Sequence, residues 1–196
     1  MKITIITVTY NSERSIETAI RSVLEQSVHQ KFLDTERPRL EYLIIDGASK
    51  DTTIAKAEAF RPAFEQAGAE YKIISEPDRG IYDAMNKGIH LATGDIIGIL
   101  NSDDWYEPDT LETVVRTFRE THCDLMFANI RMHRSDGSTF VKKARQRKVQ
   151  TSRDWNHPTT FITKEMYGIY QYPLHNVYDD LDVLLKKLAD MGVLEM

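Results

Sequence analysis

The chain has 196 residues, 41% of them hydrophobic and 28% charged, enough for one domain with a sizeable core and little beyond it. Thirty acidic against 25 basic side chains give a net charge of −5, without the basic footprint of a duplex-DNA binder, so no nucleic-acid partner is expected. The single cysteine, Cys123, excludes an intrachain disulfide and a multi-cysteine metal cluster.

Residues 2–8 are β-branched and bounded by polar residues, so they read as a buried strand. Asn11 or Ser12 then caps a helix in which Ile16, Ala19, Ile20, Val23 and Leu24 form one apolar face. A polar stretch over 29–39 leads to a second strand, 40–45, which ends in the turn composition Asp46-Gly47-Ala48-Ser49. Asp51 or a neighbour opens a second helix, interrupted by Pro62. A third strand follows at 71–75, and a helix over 81–92 stops at Thr93-Gly94. The fourth strand, 95–100, runs into Asn101-Ser102-Asp103-Asp104. After Pro108, Leu111, Val114, Val115 and Phe118 mark another amphipathic helix. Residues 124–132 and 139–142 read as strands around Arg134-Ser135-Asp136-Gly137, a hairpin signal. The last element, 178–191, puts Leu181, Leu184, Leu185 and Leu188 on one face, with Gly192 as its C-cap.

This alternation predicts an α/β fold with three layers and a mostly parallel central sheet, joined by right-handed crossovers. No apolar run approaches the ~18 residues of a spanning helix. The first ten residues are too strand-like for a signal peptide. The expected location is cytoplasmic, or at most peripheral at the inner face of the membrane.

Ligands of open α/β sheets bind beyond the carboxyl ends of the strands. Polar residues gather at four such ends: Thr7, Thr9, Tyr10 and Asn11, then Asp46, then Glu76, Asp78 and Arg79, then Asp103 and Asp104. Adjacent carboxylates repel unless a cation or donor compensates, and a hard divalent cation is commonly shared with substrate phosphates. An acidic turn before a helix N-terminus is the other reading of the same pair. The first strand-helix turn has no glycine, which excludes a dinucleotide fingerprint and a P-loop.

Four stretches carry a resemblance: Ile5-Ile6-Thr7-Val8-Thr9-Tyr10-Asn11; Ile44-Ile45-Asp46-Gly47-Ala48-Ser49-Lys50-Asp51; 75–88, with Glu76-Pro77-Asp78-Arg79-Gly80; and 94–104, ending in Asn101-Ser102-Asp103-Asp104. In order and spacing the sequence resembles family 2 glycosyltransferases of the GT-A fold. It is similar in particular to bacterial transferases that build surface polysaccharide or O-antigen. The resemblance implies an inverting transfer of a sugar from a nucleoside-diphosphate donor to a hydroxyl of a saccharide or lipid-linked acceptor. It implies that Thr7, Thr9 and Tyr10 line a nucleobase pocket, that Asp46 hydrogen-bonds the base, and that Arg79 faces the donor. It also implies that Asn101 and Asp103 share ribose and metal contacts, with Asp103 or Asp104 as ligand to a divalent cation, Mn²⁺ or Mg²⁺. Residues 1–104 form the nucleotide-sugar half on this reading, and 105–196 the acceptor half.

The family places its general base at the start of a late helix. Asp179-Asp180-Leu181-Asp182 stands there, with Asp180 as base and Asp179 as its neighbour. His157 either contacts the diphosphate or acceptor, or is structural. Lys142, Lys143, Arg145, Arg147 and Lys148 form a basic cluster, read as a solvated loop or as an attraction to anionic lipid or a phosphorylated acceptor. Relatives are expected to continue past the base-bearing helix. The alternative to an active transferase is therefore a non-catalytic or partner-dependent sugar-nucleotide-binding module.

Overall fold

The computed structural model describes residues 1–26, 39–145, 156–168 and 172. These residues form eight strands: β1 (Lys2–Thr9), β2 (Arg39–Asp46), β3 (Glu70–Ser75), β4 (Ile96–Asn101), β5 (Leu125–Met126), β6 (Ile130–His133), β7 (Thr139–Lys142) and β8 (Phe161–Thr163). Six α-helices accompany them: α1 (Ile16–Leu24), α2 (Thr53–Glu58), α3 (Arg61–Ala67), α4 (Ile81–Leu91), α5 (Thr110–Thr121) and α6 (Lys164–Tyr167).

Six strands make one sheet in the order β3-β2-β1-β4-β8-β5. The first four are mutually parallel, and β8 runs antiparallel to both β4 and β5. β1 is paired on both edges and covered on both faces, which is why its apolar run is almost unbroken. Ile3, Ile5, Ile16, Ile20, Phe64, Val114 and Phe118 build the core on the α1, α3 and α5 side. Ile6, Val8, Ile45, Ala84, Met85, Ile162 and Tyr167 build it on the α4 and α6 side. Three layers and a mostly parallel sheet therefore stand as expected.

Close approach fixes two packing contacts. A Cβ on Gly88 of α4 would lie 2.5 Å from Ile6 Cγ2, and one on Gly98 would lie 2.5 Å from the Phe161 ring. At the end of the sheet where β1 and β2 begin, Glu41 is fully buried yet ionised. Burial alone would raise its carboxyl. The Thr93 amide (2.7 Å), Thr4 Oγ1 (2.7 Å), Lys72 Nζ (3.0 Å) and Thr93 Oγ1 (2.9 Å) outweigh burial and hold it at about 2.

Three local expectations need correction. α1 begins at Ile16 after Ser15, and neither Asn11 nor Ser12 caps it through a side chain. Asn11 instead turns into the left-handed region at φ 50° and accepts from the Lys50 amide (2.8 Å). Pro62 does not merely interrupt a helix: the chain breaks at Ala59 and Phe60, and Pro62 opens α3, where its missing N–H costs nothing. The stretch 124–132 is two strands in two sheets, because the Ala128 backbone leaves the ladder to bond Thr159 Oγ1 and Asn156 Nδ2. The expected helix over 178–191 lies outside the described residues.

Candidate functional site

The carboxyl ends of β1, β2 and β4, together with the loop after β3, surround an open cleft of about 930 Å³. Its walls are Thr9 to Ser15, Gly47, Asp51, Pro77, Asp78, Gly80, Ile81 and Asn101 to Asp103. The volume lies in the range of small-molecule sites, roughly 300–1,000 Å³.

The cleft's left wall is two loops stitched together. The Asn11 amide donates to Ser49 Oγ (2.7 Å), the Ser12 amide to Thr53 Oγ1 (2.8 Å) and the Glu13 amide to Asp51 (3.1 Å). Glu13 in turn accepts from the Thr52 hydroxyl (2.8 Å). Ser12 Oγ also meets Ser102 Oγ at 2.9 Å, tying the β1 and β4 loops across the cleft floor. Asp46 anchors this arrangement from below. It is buried at 1% exposure and accepts from the Ser49 amide (2.9 Å), the Ser49 hydroxyl and Ser75 Oγ (2.6 Å). Its carboxylate thus joins the ends of β2 and β3 and, through Ser49, positions Asn11.

The expected nucleotide residues divide into two groups. Thr9, Tyr10, Asn101 and Asp103 line the cleft, and the Tyr10 ring stands out from its wall at 62% exposure. Thr7 does not reach it: it is enclosed in the sheet, its hydroxyl paired with Tyr42 Oη at 2.9 Å. Asp46 lies under the cleft rather than on its surface. Arg79 projects outward at the head of α4, where its Nη2 meets Asp83 Oδ1 at 2.9 Å. Asp179 and Asp180 lie outside the described residues.

Asp103 and Asp104 also part company. Asp103 faces the cleft, whereas Asp104 lines a neighbouring cavity of about 240 Å³ with Trp105, Met126 and His133. Burial, then the adjacent Asp103 charge, pushes the Asp104 carboxyl up, and Asn101 Nδ2 (3.2 Å) pulls it back. Because a carboxylate only accepts, this bond fixes the Asn101 amide with Nδ2 toward Asp104. Asn101 Oδ1 is then a buried acceptor with no partner among the described residues, and Thr9 Oγ1 is another. Both oxygens are closed to solvent, as are two other unpartnered atoms outside the cleft lining, Tyr106 Oη and Asn156 Oδ1.

Among the described residues no three His, Cys, Asp or Glu side chains converge as a preformed metal cage. The set that is present suits a different arrangement. Mg²⁺ and Mn²⁺ take oxygen ligands, and Mg²⁺ characteristically uses one or two carboxylates plus substrate phosphates. Asp103 supplies a carboxylate of that kind in the cleft wall, and Asn101 Oδ1 belongs to the same turn but is closed to solvent.

Asp78 is a cleft residue that the sequence marked only as a polar strand-end residue. Its Oδ2 lies 2.6 Å from where a Cβ on Gly47 would be, so a side chain at 47 would displace the Asp78 carboxylate. The Asp46-Gly47 pair was the available signal. His157 Nε2 meets Tyr172 Oη at 3.0 Å, and Tyr172 stacks on Tyr82 with centroids 5.7 Å apart. Among the described residues no helix is long and apolar enough to cross a membrane.

Comparison with known proteins agrees with this architecture. The model of Glycosyl transferase family 2 matches residues 4–181. An uncharacterized glycosyltransferase of Mycobacterium tuberculosis is 34% identical over 114 residues, 58% of this chain and 38% of its own length. A PGL/p-HBAD biosynthesis glycosyltransferase of Mycobacterium bovis is 38% identical over 94 residues, 47% of this chain and 36% of its own. The chain thus matches little more than a third of the length of these relatives. Among solved structures, the mannosyltransferase PcManGT of Pyrobaculum calidifontis, in complex with GDP-Man and Mn²⁺, superposes with a TM-score of 0.71 at 21% identity, over 97% of this chain and 52% of that one. TarS of S. aureus in complex with UDP gives 0.64 at 20% identity, over 89% and 51%. The fold is that of the GT-A glycosyltransferases.

Proposed function

We propose, for a chain that belongs to glycosyl transferase family 2, that the cleft holds a nucleoside-diphosphate sugar and that the sugar is transferred with inversion to a hydroxyl of a saccharide or lipid-linked acceptor. Surface polysaccharide assembly is the setting this reading favours. The observation that carries it is the cleft at the carboxyl ends of β1, β2 and β4, whose wall bears Thr9, Tyr10, Asn101 and Asp103.

Each residue then has a task that follows from its position. Tyr10 offers its exposed ring as a face for the base. Thr9 lines the wall between Tyr10 and the Asn101–Asp103 turn. Asp46 acts from beneath, by holding Ser49 and Ser75 and so the loop that carries Asn11. Asp103 and Asn101 would hold a divalent cation, Mn²⁺ or Mg²⁺, against the donor diphosphate. Such a cation, when bound, stabilises the charge that grows on the departing diphosphate. Asp104 accepts from Asn101 Nδ2 and so steers Asn101, and Asp103 or Asp104 serves as the carboxylate ligand.

Inversion requires one further group, a base for the proton of the incoming hydroxyl. Asp180, with Asp179 beside it, is proposed for that role on the sequence pattern alone. The leaving group needs no protonation, so a second flanking carboxylate is unnecessary. The donor class draws on the family and on the cleft; the solved neighbours were captured with UDP and with GDP-Man plus Mn²⁺. Calorimetric titration of UDP, GDP and their sugars, with and without Mn²⁺, tests the donor half. Donor binding without transfer to any acceptor would assign the chain to the partner-dependent binding module instead.

A further inference from the structure

The hairpin β6–β7 stands apart from the main sheet as its own two-stranded unit. A two-stranded ribbon is marginal by itself, so a sequence that keeps one exposed should have a use for its surface. Its register places Met132 directly opposite Phe140, and opposed residues of an antiparallel pair share a face. Both side chains are exposed, at 39% and 42%; Val141, exposed at 47%, lies opposite Arg131 on the other face of the ribbon. Trp105, also exposed, packs its ring 4.8 Å from His133 of the same hairpin.

These four account for half of the exposed large hydrophobic residues among the described residues. Of the others, Tyr10 and Ile81 line the cleft already described. The exposed apolar residues therefore gather on and beside the hairpin, with Met132 and Phe140 paired on one face and Val141 and the Trp105–His133 contact on the other, which marks an interaction surface.

Charge is concentrated in the same place. Within residues 130–145 there are five Lys or Arg and one Asp, in a chain whose net charge is −5. The Arg134 guanidinium lies 4.6 Å from the centre of the Phe140 ring, and Lys143 follows β7 in an exposed position. The turn between the strands is tight, with the Gly137 amide donating to Arg134 O (3.0 Å), so apolar and cationic groups are held together.

We propose that the β6–β7 hairpin docks on an anionic lipid surface, with Phe140 and Met132 entering the headgroup boundary and the surrounding cations pairing with lipid phosphates. Apolar knobs ringed by cations match an interface that is oily below and negative above. A phosphorylated soluble molecule would use the cations but gain nothing from the exposed Phe140 and Met132. The inference is independent of the donor-site reading, and its test involves no transfer reaction.

The test is co-sedimentation of the full chain with vesicles of phosphatidylcholine alone and of phosphatidylcholine containing roughly one-third phosphatidylglycerol. Binding is expected to the anionic vesicles only, and to weaken as salt is added. Arg134→Ser and Lys143→Ser should each lower the partition about fivefold. The double variant Met132→Ser, Phe140→Ser should lower it by about tenfold or more while melting like the wild type. Equal binding to neutral vesicles, no binding to either, or a double variant that binds as the wild type does would overturn the proposal. So would a concentration-dependent dimer that the double variant abolishes, because the face would then belong to a second copy.

Discussion

Acidification should destabilise this fold through one residue far from the cleft, Glu41. Its carboxylate is fully buried, and its main cationic partner, Lys72, is half exposed. The group titrates at 4.5 in a free chain and is held at about 2 in the folded one. A depressed acid stabilises above its unfolded value, and that contribution is lost as pH falls from 4.5 through 2. The full difference corresponds to at most about 3 kcal/mol, reduced because solvent screens the exposed Lys72. By pH ~3, at most about 2 kcal/mol of it has gone. Urea unfolding of the wild type and Glu41→Gln between neutral pH and pH ~3 isolates the effect from other carboxylates. Gln keeps the size but must turn its NH₂ group against either the Thr93 amide or the Lys72 ammonium, each a donor. The variant should be less stable near neutrality by about 1–3 kcal/mol, and the gap should narrow steadily below pH ~5. A gap that stays constant with pH, or none at neutrality, would refute the assignment of this ionised buried carboxylate.

Three further outcomes follow from the packing and the site. Gly88→Ala drives a Cβ to within 2.5 Å of Ile6 Cγ2 and should cost about 1–3 kcal/mol despite alanine's better helix propensity, seen as a lower Tm in calorimetry. Asp46→Ala strips Ser49 and Ser75 of their acceptor; stability should fall by about 1.5–3 kcal/mol and donor affinity should fall with it, whereas lost affinity at unchanged Tm would point to direct base contact. Asp180→Asn should leave donor affinity unchanged in titration and lower turnover by roughly 10²–10⁴ in a transfer assay; wild-type turnover would move the base to Asp179.

The four parallel strands and the loops that follow them were legible because strand and helix periods alternate cleanly up to Asn101, and because each strand ends in polar residues. Arrangements set by distant partners were not legible. Thr7 shares a face of β1 with Thr9, but it lies one step further into the sheet, where its hydroxyl pairs with Tyr42 Oη, 35 residues away. Asp46 looks like a free strand-end acceptor until Ser49 and Ser75 are brought to it. Asp103 and Asp104 are adjacent in sequence and diverge in space, since the turn after β4 sends one to the cleft and the other against Asn101. Arg79 is claimed by Asp83 one helical turn on, an i,i+4 pair visible in the sequence but not weighed against a role in the cleft. The split of 124–132 depends on Thr159 and Asn156, which no local pattern announces.

The central claim is that Asp103 and Asn101 hold a divalent cation against a donor diphosphate in the β1–β4 cleft. Isothermal titration of UDP and GDP into the wild type and Asp103→Ala, each with and without Mn²⁺, tests it most directly. The account predicts that one nucleotide binds the wild type more tightly with Mn²⁺, and that Asp103→Ala loses this enhancement while keeping the wild-type melting temperature in the absence of nucleotide. An enhancement by Mn²⁺ that is undiminished in Asp103→Ala, or no binding of either nucleotide by the wild type, would contradict it.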